Sequence, residues 1–112
     1  MTATTATLRD LVAEDLGLKA VDEELSDELS ARIEARINHW MAHYRELGLF
    51  WWADNAIPNA CVGGLTMVMA ALVCGSVRKA GQGHEAKLEP GLAMIAALKP
   101  YAQIDTLRTH YY

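Results

Sequence analysis

Residues 60–77 read ACVGGLTMVMAALVCGSV. This run carries no charged side chain, and Thr66 and Ser76 are its only polar residues besides the glycines. It is close to the ~20 apolar residues that span a bilayer. Trp51-Trp52 lies on one side and Arg78-Lys79 on the other, as interfacial anchors do. The run must be buried, either in lipid or in protein. Its Ala and Gly content contributes little insertion energy and suits close helix packing, because glycine lets another backbone approach. The segment before it favours protein.

Residues 27–47 predict an amphipathic helix. Ser26 is a strong N-cap, and Asp27 and Glu28 place negative charge at the positive end of the helix dipole. Leu25, just ahead of the cap, suits a hydrophobic staple. Leu29, Ile33, Ile37, Trp40, Met41, Tyr44 and Leu47 form the apolar stripe, and Glu28, Arg32, Glu34, Arg36, His43 and Arg45 the opposite face. Glu28 and Arg32 form an i,i+4 pair in the favourable order. Gly48 ends the helix. Such a stripe needs an apolar partner in water, and a buried helix over residues 58–79 supplies one.

The remaining elements fit around this pair. Residues 1–6 read as a flexible arm. Thr7 and Asp10 resemble a capping box for a short helix over residues 8–16, with Leu8, Leu11, Val12 and Leu16 on one stripe and Gly17 as its stop. Residues 18–25 are an acidic connector. Asp54-Asn55 with Pro58 predicts the start of the third helix, and Gly81 its end. Residues 82–88 read as a polar loop. Glu89-Pro90 opens a fourth helix with Leu92, Met94, Ile95 and Leu98 as its apolar positions, closed by Pro100. The expected fold is all-α: a small bundle of about four helices around a buried central helix. Residues 1–100 form the domain and residues 101–112 a C-terminal extension.

The composition excludes several functions. A 112-residue chain, 52% hydrophobic and 21% charged, is a single globular domain rather than a disordered one. A net charge of −4 without a basic run argues against duplex binding. The start of the chain has no basic region followed by an apolar core, so no secretory signal is expected. Cys61 and Cys74 have neither metal-motif nor disulfide-framework spacing and read as buried thiols. His39 and His43 share a helix face at a spacing that can bind zinc, but His-Trp-Met-Ala-His lacks the glutamate of the helical metalloprotease motif. A third ligand would have to come from His84 or His110, and two surface histidines are the simpler reading. Neither a catalytic site nor a cofactor is expected.

Leu49-Phe50-Trp51-Trp52 places three aromatics together in a connector. They read as a lid of rings over a helix pair, or as a protein contact, since such rings concentrate at interface cores. Tyr111-Tyr112 fits either a docked or a frayed end.

The order of these features resembles the head–tail connector (adaptor) proteins of tailed bacteriophages. The resemblance is nearest to the tail accessory, packaged-DNA-stabilising type of short-tailed phages. It rests on Ser26-Asp27-Glu28-Leu29 opening an Arg-rich helix with Ile33, Ile37-Asn38 and Trp40. Leu47-Gly48-Leu49 with the aromatic cluster follows, then Ile57-Pro58-Asn59-Ala60 ahead of an Ala-rich helix. It covers residues 8–98 and consists of residue-class patterns rather than invariant catalytic letters. The resemblance implies a homo-oligomeric ring in the virion, made in the host bacterial cytoplasm. That ring would join the portal protein to the tail or nozzle protein and help retain packaged DNA, which passes through the lumen without base reading. It further implies portal docking by Thr106, Leu107, Arg108, His110, Tyr111 and Tyr112. Phe50, Trp51 and Trp52 are the expected subunit or tail contacts, and no membrane is involved. Two alternatives stand beside it: a holin-like membrane-inserting protein using residues 60–77, and a small cytoplasmic helical interaction protein, such as a dimeric regulator.

Overall fold

A computed structural model describes residues 2–53 and 55–99 and shows an all-α bundle of four helices. They are α1 (Thr5–Asp15), α2 (Asp27–Glu46), α3 (Val62–Val73) and α4 (Leu88–Ala97). Short 3-10 turns at Asn59–Cys61, Cys74–Val77 and His84–Lys87 flank the last two. Two-residue strands β1 (Thr2–Ala3) and β2 (Ile57–Pro58) pair antiparallel, Thr2 opposite Pro58 and Ala3 opposite Ile57.

The central helix is α3. Leu65, Val68, Met69, Ala70 and Val73 are fully buried, and Leu8, Val12 and Ala13 of α1 join Ile33 and Ile37 of α2 in the same core. Burial of each large aliphatic side chain is worth about 1.5–3 kcal/mol, so the core rests mainly on these residues. The α2 stripe is as expected in Ile33, Ile37, Met41 and Tyr44, with Leu29 and Trp40 partly buried. Ser26 caps α2 by accepting from the Leu29 amide, and Arg32 pairs with Glu28 at 3.2 Å.

Four sequence expectations need correction. Residues 2–6 are not a free arm. Thr2 and Ala3 are tied into the strand pair, and Thr4 caps α1 by accepting from the Thr7 amide, so that helix begins three residues earlier than expected. Asn55 does not cap α3. It sits at φ 58°, and its Oδ1 accepts from the Thr5 amide, joining the two chain segments at the strand pair. The expected single helix over residues 58–79 is α3 with 3-10 turns at both ends. It stops at Arg78, which adopts the left-handed conformation, rather than at Gly81. The expected polar loop contains the 3-10 turn His84–Lys87, which leads directly into α4.

Helices α3 and α4 touch closely. Gly64 lies against Gly91, Met94 and Ile95, while Gly91 lies against Gly64, Met67 and Val68. The closely approaching backbone expected at the glycine pair is therefore that of α4, and it meets Gly64 rather than Gly63.

Candidate interaction surface

Helices α1 and α2 end with the same backbone arrangement, and the end of α2 contributes to the candidate surface. At the end of α2 the Leu49 amide donates to the Tyr44 carbonyl and the Gly48 amide to that of Arg45, with Gly48 at φ 79°. This is a Schellman motif, which reverses the chain through a left-handed residue. It turns Leu47 out of the expected apolar stripe, leaving it 59% exposed, and leaves Leu49 exposed beside it.

The reversal sends the aromatics inward. Phe50 is 2% and Trp52 6% exposed, and their rings stack at 4.7 Å. Tyr44 lies 5.3 Å from Phe50, and Trp51 meets Trp52 edge-on at 5.1 Å. The Arg45 Nε donates to the Trp52 carbonyl. Within the single chain, then, Phe50 and Trp52 belong to the lid of rings over the core, and Trp51 is the half-buried member. The C-terminal candidates Thr106, Leu107, Arg108, His110, Tyr111 and Tyr112 lie outside the described residues.

The end of α4 meets this turn. Lys99 Nζ donates to the Gly48 carbonyl at 3.0 Å. Leu88, Gly91, Leu92 and Ile95 form the inner face of α4, so Met94 and Leu98, one turn apart, face outward at 48% and 44% exposure. Leu47, Leu49, Met94 and Leu98 are four of the five exposed large apolar side chains among the described residues; the fifth is Val21. A single exposed leucine is ordinary, and these four come from two segments that the Lys99–Gly48 hydrogen bond links. The signal was present in α4, which has more apolar positions than one face of ten residues can bury. The turn at Gly48, which exposes Leu47 and Leu49, was not read from periodicity.

Cys61 and Cys74 are buried and free. Burial pushes both thiols above their ordinary value, and the neighbouring Glu85 carboxylate raises Cys74 further. A thiol held neutral in this way is a poor nucleophile. Cys74 Sγ lies 3.2 Å from Glu85 Oε1, and the Gly81 amide donates to the same carboxylate. These bonds hold the loop after α3 against its end. His39 and His43 are exposed and flank Trp40 edge-on, at 5.1 and 5.4 Å. No group of three or more potential metal ligands occurs among the described residues. A groove of about 420 Å³ between α1, the acidic connector and α2 is lined by Asp10, Glu23, Glu24, Asp27 and Glu34. Arg9 pairs there with Asp10 and Glu34, each at 3.0 Å.

The helical run Asn59–Val77 is long and apolar enough to cross a membrane by length and composition, and half of it is buried inside the fold. Comparison with protein-family models, curated proteins and solved structures gives no match to this chain.

Proposed function

We propose that this chain is a structural connector of a tailed-phage virion, assembling as a ring between portal and tail and helping to retain packaged DNA. The observation that carries the reading is the apolar end formed by Leu47, Leu49, Met94 and Leu98, at the point where the chain continues into residues 100–112. A small helical protein with large apolar side chains exposed suits repeated protein contacts, since a ring of identical copies repeats the same contact at every subunit boundary. An acidic chain also suits a lumen through which a polyanion must slide.

The test mixes purified chain with a purified portal ring and follows sedimentation. A ring of chain bound to the portal is expected, lost on truncation after Gln103 with helicity retained. Unchanged attachment of the truncated chain sinks the docking role of the C-terminal residues, and failure of the full chain to bind any portal sinks the connector reading.

A membrane-inserting protein is the second reading, favoured by the run Asn59–Val77. It requires α3 to leave Leu8, Val12, Ile33 and Ile37, with which it shares the core. Partition of the whole chain into lipid vesicles, with no detergent-free soluble fraction, would establish it in place of the connector.

A further inference from the structure

We infer that His39 and His43 form an exchangeable binding site for a divalent transition-metal ion of the copper, nickel and zinc class. The two stand four residues apart on α2, an unbroken helix from Asp27 to Glu46. That spacing sets their Cβ atoms about 5–6 Å apart on one face. Two imidazole nitrogens, each about 2.0–2.1 Å from the ion, then close a chelate across one helical turn.

Both side chains are exposed, and among the described residues neither ring has a hydrogen-bond partner. An arriving ion therefore displaces no protein contact of their nitrogens. The rings are nonetheless held. Each meets Trp40 edge-on, His39 at 5.1 Å and His43 at 5.4 Å, and His43 also lies 5.3 Å from the Tyr44 ring. Tyr44 belongs to the core, and Trp40 packs against it. Two imidazoles leaning on one anchored indole have less rotamer freedom to lose when an ion joins them.

The ligand set selects the ion. Imidazole suits zinc, copper and nickel, whereas calcium and magnesium take oxygen ligands. His84 does not complete the set. Its Nδ1 lies 3.1 Å from Lys87 Nζ, in the turn before α4, and no group of three ligands forms among the described residues. Water completes the coordination, as it does at open zinc sites. No carboxylate or carbonyl among the described residues fixes the second nitrogen of either ring, so the ion stays exchangeable. The site lies within one chain and does not depend on the connector reading.

Copper titration of the full chain tests the site. Bound Cu2+ quenches tryptophan fluorescence at close range, and Trp40 touches both ligands. At about pH 7.5, above the ordinary imidazole range, quenching should saturate at one ion per chain. Excess Zn2+ should reverse it, and Mg2+ should not. His39→Ala and His43→Ala should each weaken binding by about tenfold or more, because the second imidazole acts as an attached ligand at high effective concentration. His39→Ala with Ala42→His keeps two histidines but sets them side by side, off a common face, and should bind as weakly as the single variants. All three positions are exposed, so far-UV helicity should be kept. Absence of saturable quenching overturns the inference, as does unchanged affinity in the single variants or full affinity with the histidines adjacent. One ion per two chains also overturns it, assigning the metal to a site between copies.

Discussion

Gly64 of α3 and Gly91 of α4 are in mutual contact, each presenting its carbonyl oxygen to the position where a side chain on the other would begin. A Cβ at Gly91 would lie 2.7 Å from the Gly64 oxygen, and one at Gly64 would lie 3.0 Å from the Gly91 oxygen. The two backbones are therefore as close as hydrogen-only side chains allow. The exposed side chains of α4 are positioned by this contact, because Met94 and Leu98 follow from it along the helix.

The three glycines near this contact should respond differently to alanine. Gly91→Ala places a methyl against fixed backbone and against Val68 at 2.8 Å, and should cost about 2 kcal/mol or more. Gly64→Ala meets slightly longer contacts and should cost less. Gly63 has nothing within 4 Å, so Gly63→Ala should stabilise by about 0.5 kcal/mol through helix propensity. Urea denaturation of the three variants checks the order. Equal effects at positions 63 and 91 would show that the close crossing does not constrain the fold.

Arg78, at the end of the 3-10 turn after α3, takes the left-handed conformation that glycine takes in the Schellman motifs after α1 and α2. Gly17 and Gly48 sit at φ 75° and 79°, while Arg78 sits at φ 61° with the Lys79 amide donating to the Cys74 carbonyl at 2.7 Å. A side chain in the left-handed region costs about 1–2 kcal/mol. Arg78→Gly removes that strain but loosens the unfolded chain, so a net gain of about 0.5–1 kcal/mol is expected. Gly17→Ala should lose about 1 kcal/mol by the reverse argument. Thermal unfolding measures both, and a destabilised Arg78→Gly variant would refute the strain account.

These motifs also show how far the sequence reached. The stripe Ile33, Ile37, Met41 and Tyr44 and the burial of α3 were legible because helical periodicity and the absence of charge are local properties. The strand pair was not, because it depends on Asn55 meeting Thr5 across fifty positions of sequence. Residues 50–52 gave an ambiguous signal, since a buried ring and an interface ring have the same composition. Their placement depends on the turn at Gly48, which reverses the chain. That same turn exposed Leu47, which periodicity assigned to the core.

Two threonine and serine caps should be separable by their surroundings. Thr4 accepts from the Thr7 amide, and Ser26 accepts from the Leu29 amide, each at 3.3 Å. Thr4→Ala and Ser26→Ala should each cost about 1 kcal/mol. The Thr4 variant should additionally raise amide exchange at Thr2 and Ala3, because the cap and the strand pair occupy adjacent residues. Unchanged exchange at those two residues would separate the cap from the strand pair.

The contact between Cys74 and Glu85 should make stability depend on pH at both ends of the range. Burial, then the hydrogen bond with Glu85, pushes the Cys74 thiol above its ordinary value. The unfolded chain therefore ionises first as pH rises. The thiol's contribution is fully present below about pH 8.5 and is lost as pH climbs through the raised value. Glu85 behaves in the opposite sense. The Cys74 hydrogen bond, then the Gly81 amide, holds its carboxyl below the ordinary range. Its contribution is present above about pH 4.3 and is lost as pH falls through the lowered value. Melting temperatures should thus be highest between these limits. Cys74→Ala should shrink the acid-side loss, because it removes the main cause of the Glu85 shift, and should leave on the alkaline side the loss due to Cys61, whose thiol is also raised by burial. Glu85→Gln should abolish the acid-side loss at this site and reduce the alkaline one. Circular-dichroism melts from pH 3 to about pH 10.5 distinguish these outcomes. Identical profiles in all three chains would mean that the Cys74–Glu85 contact does not persist in solution.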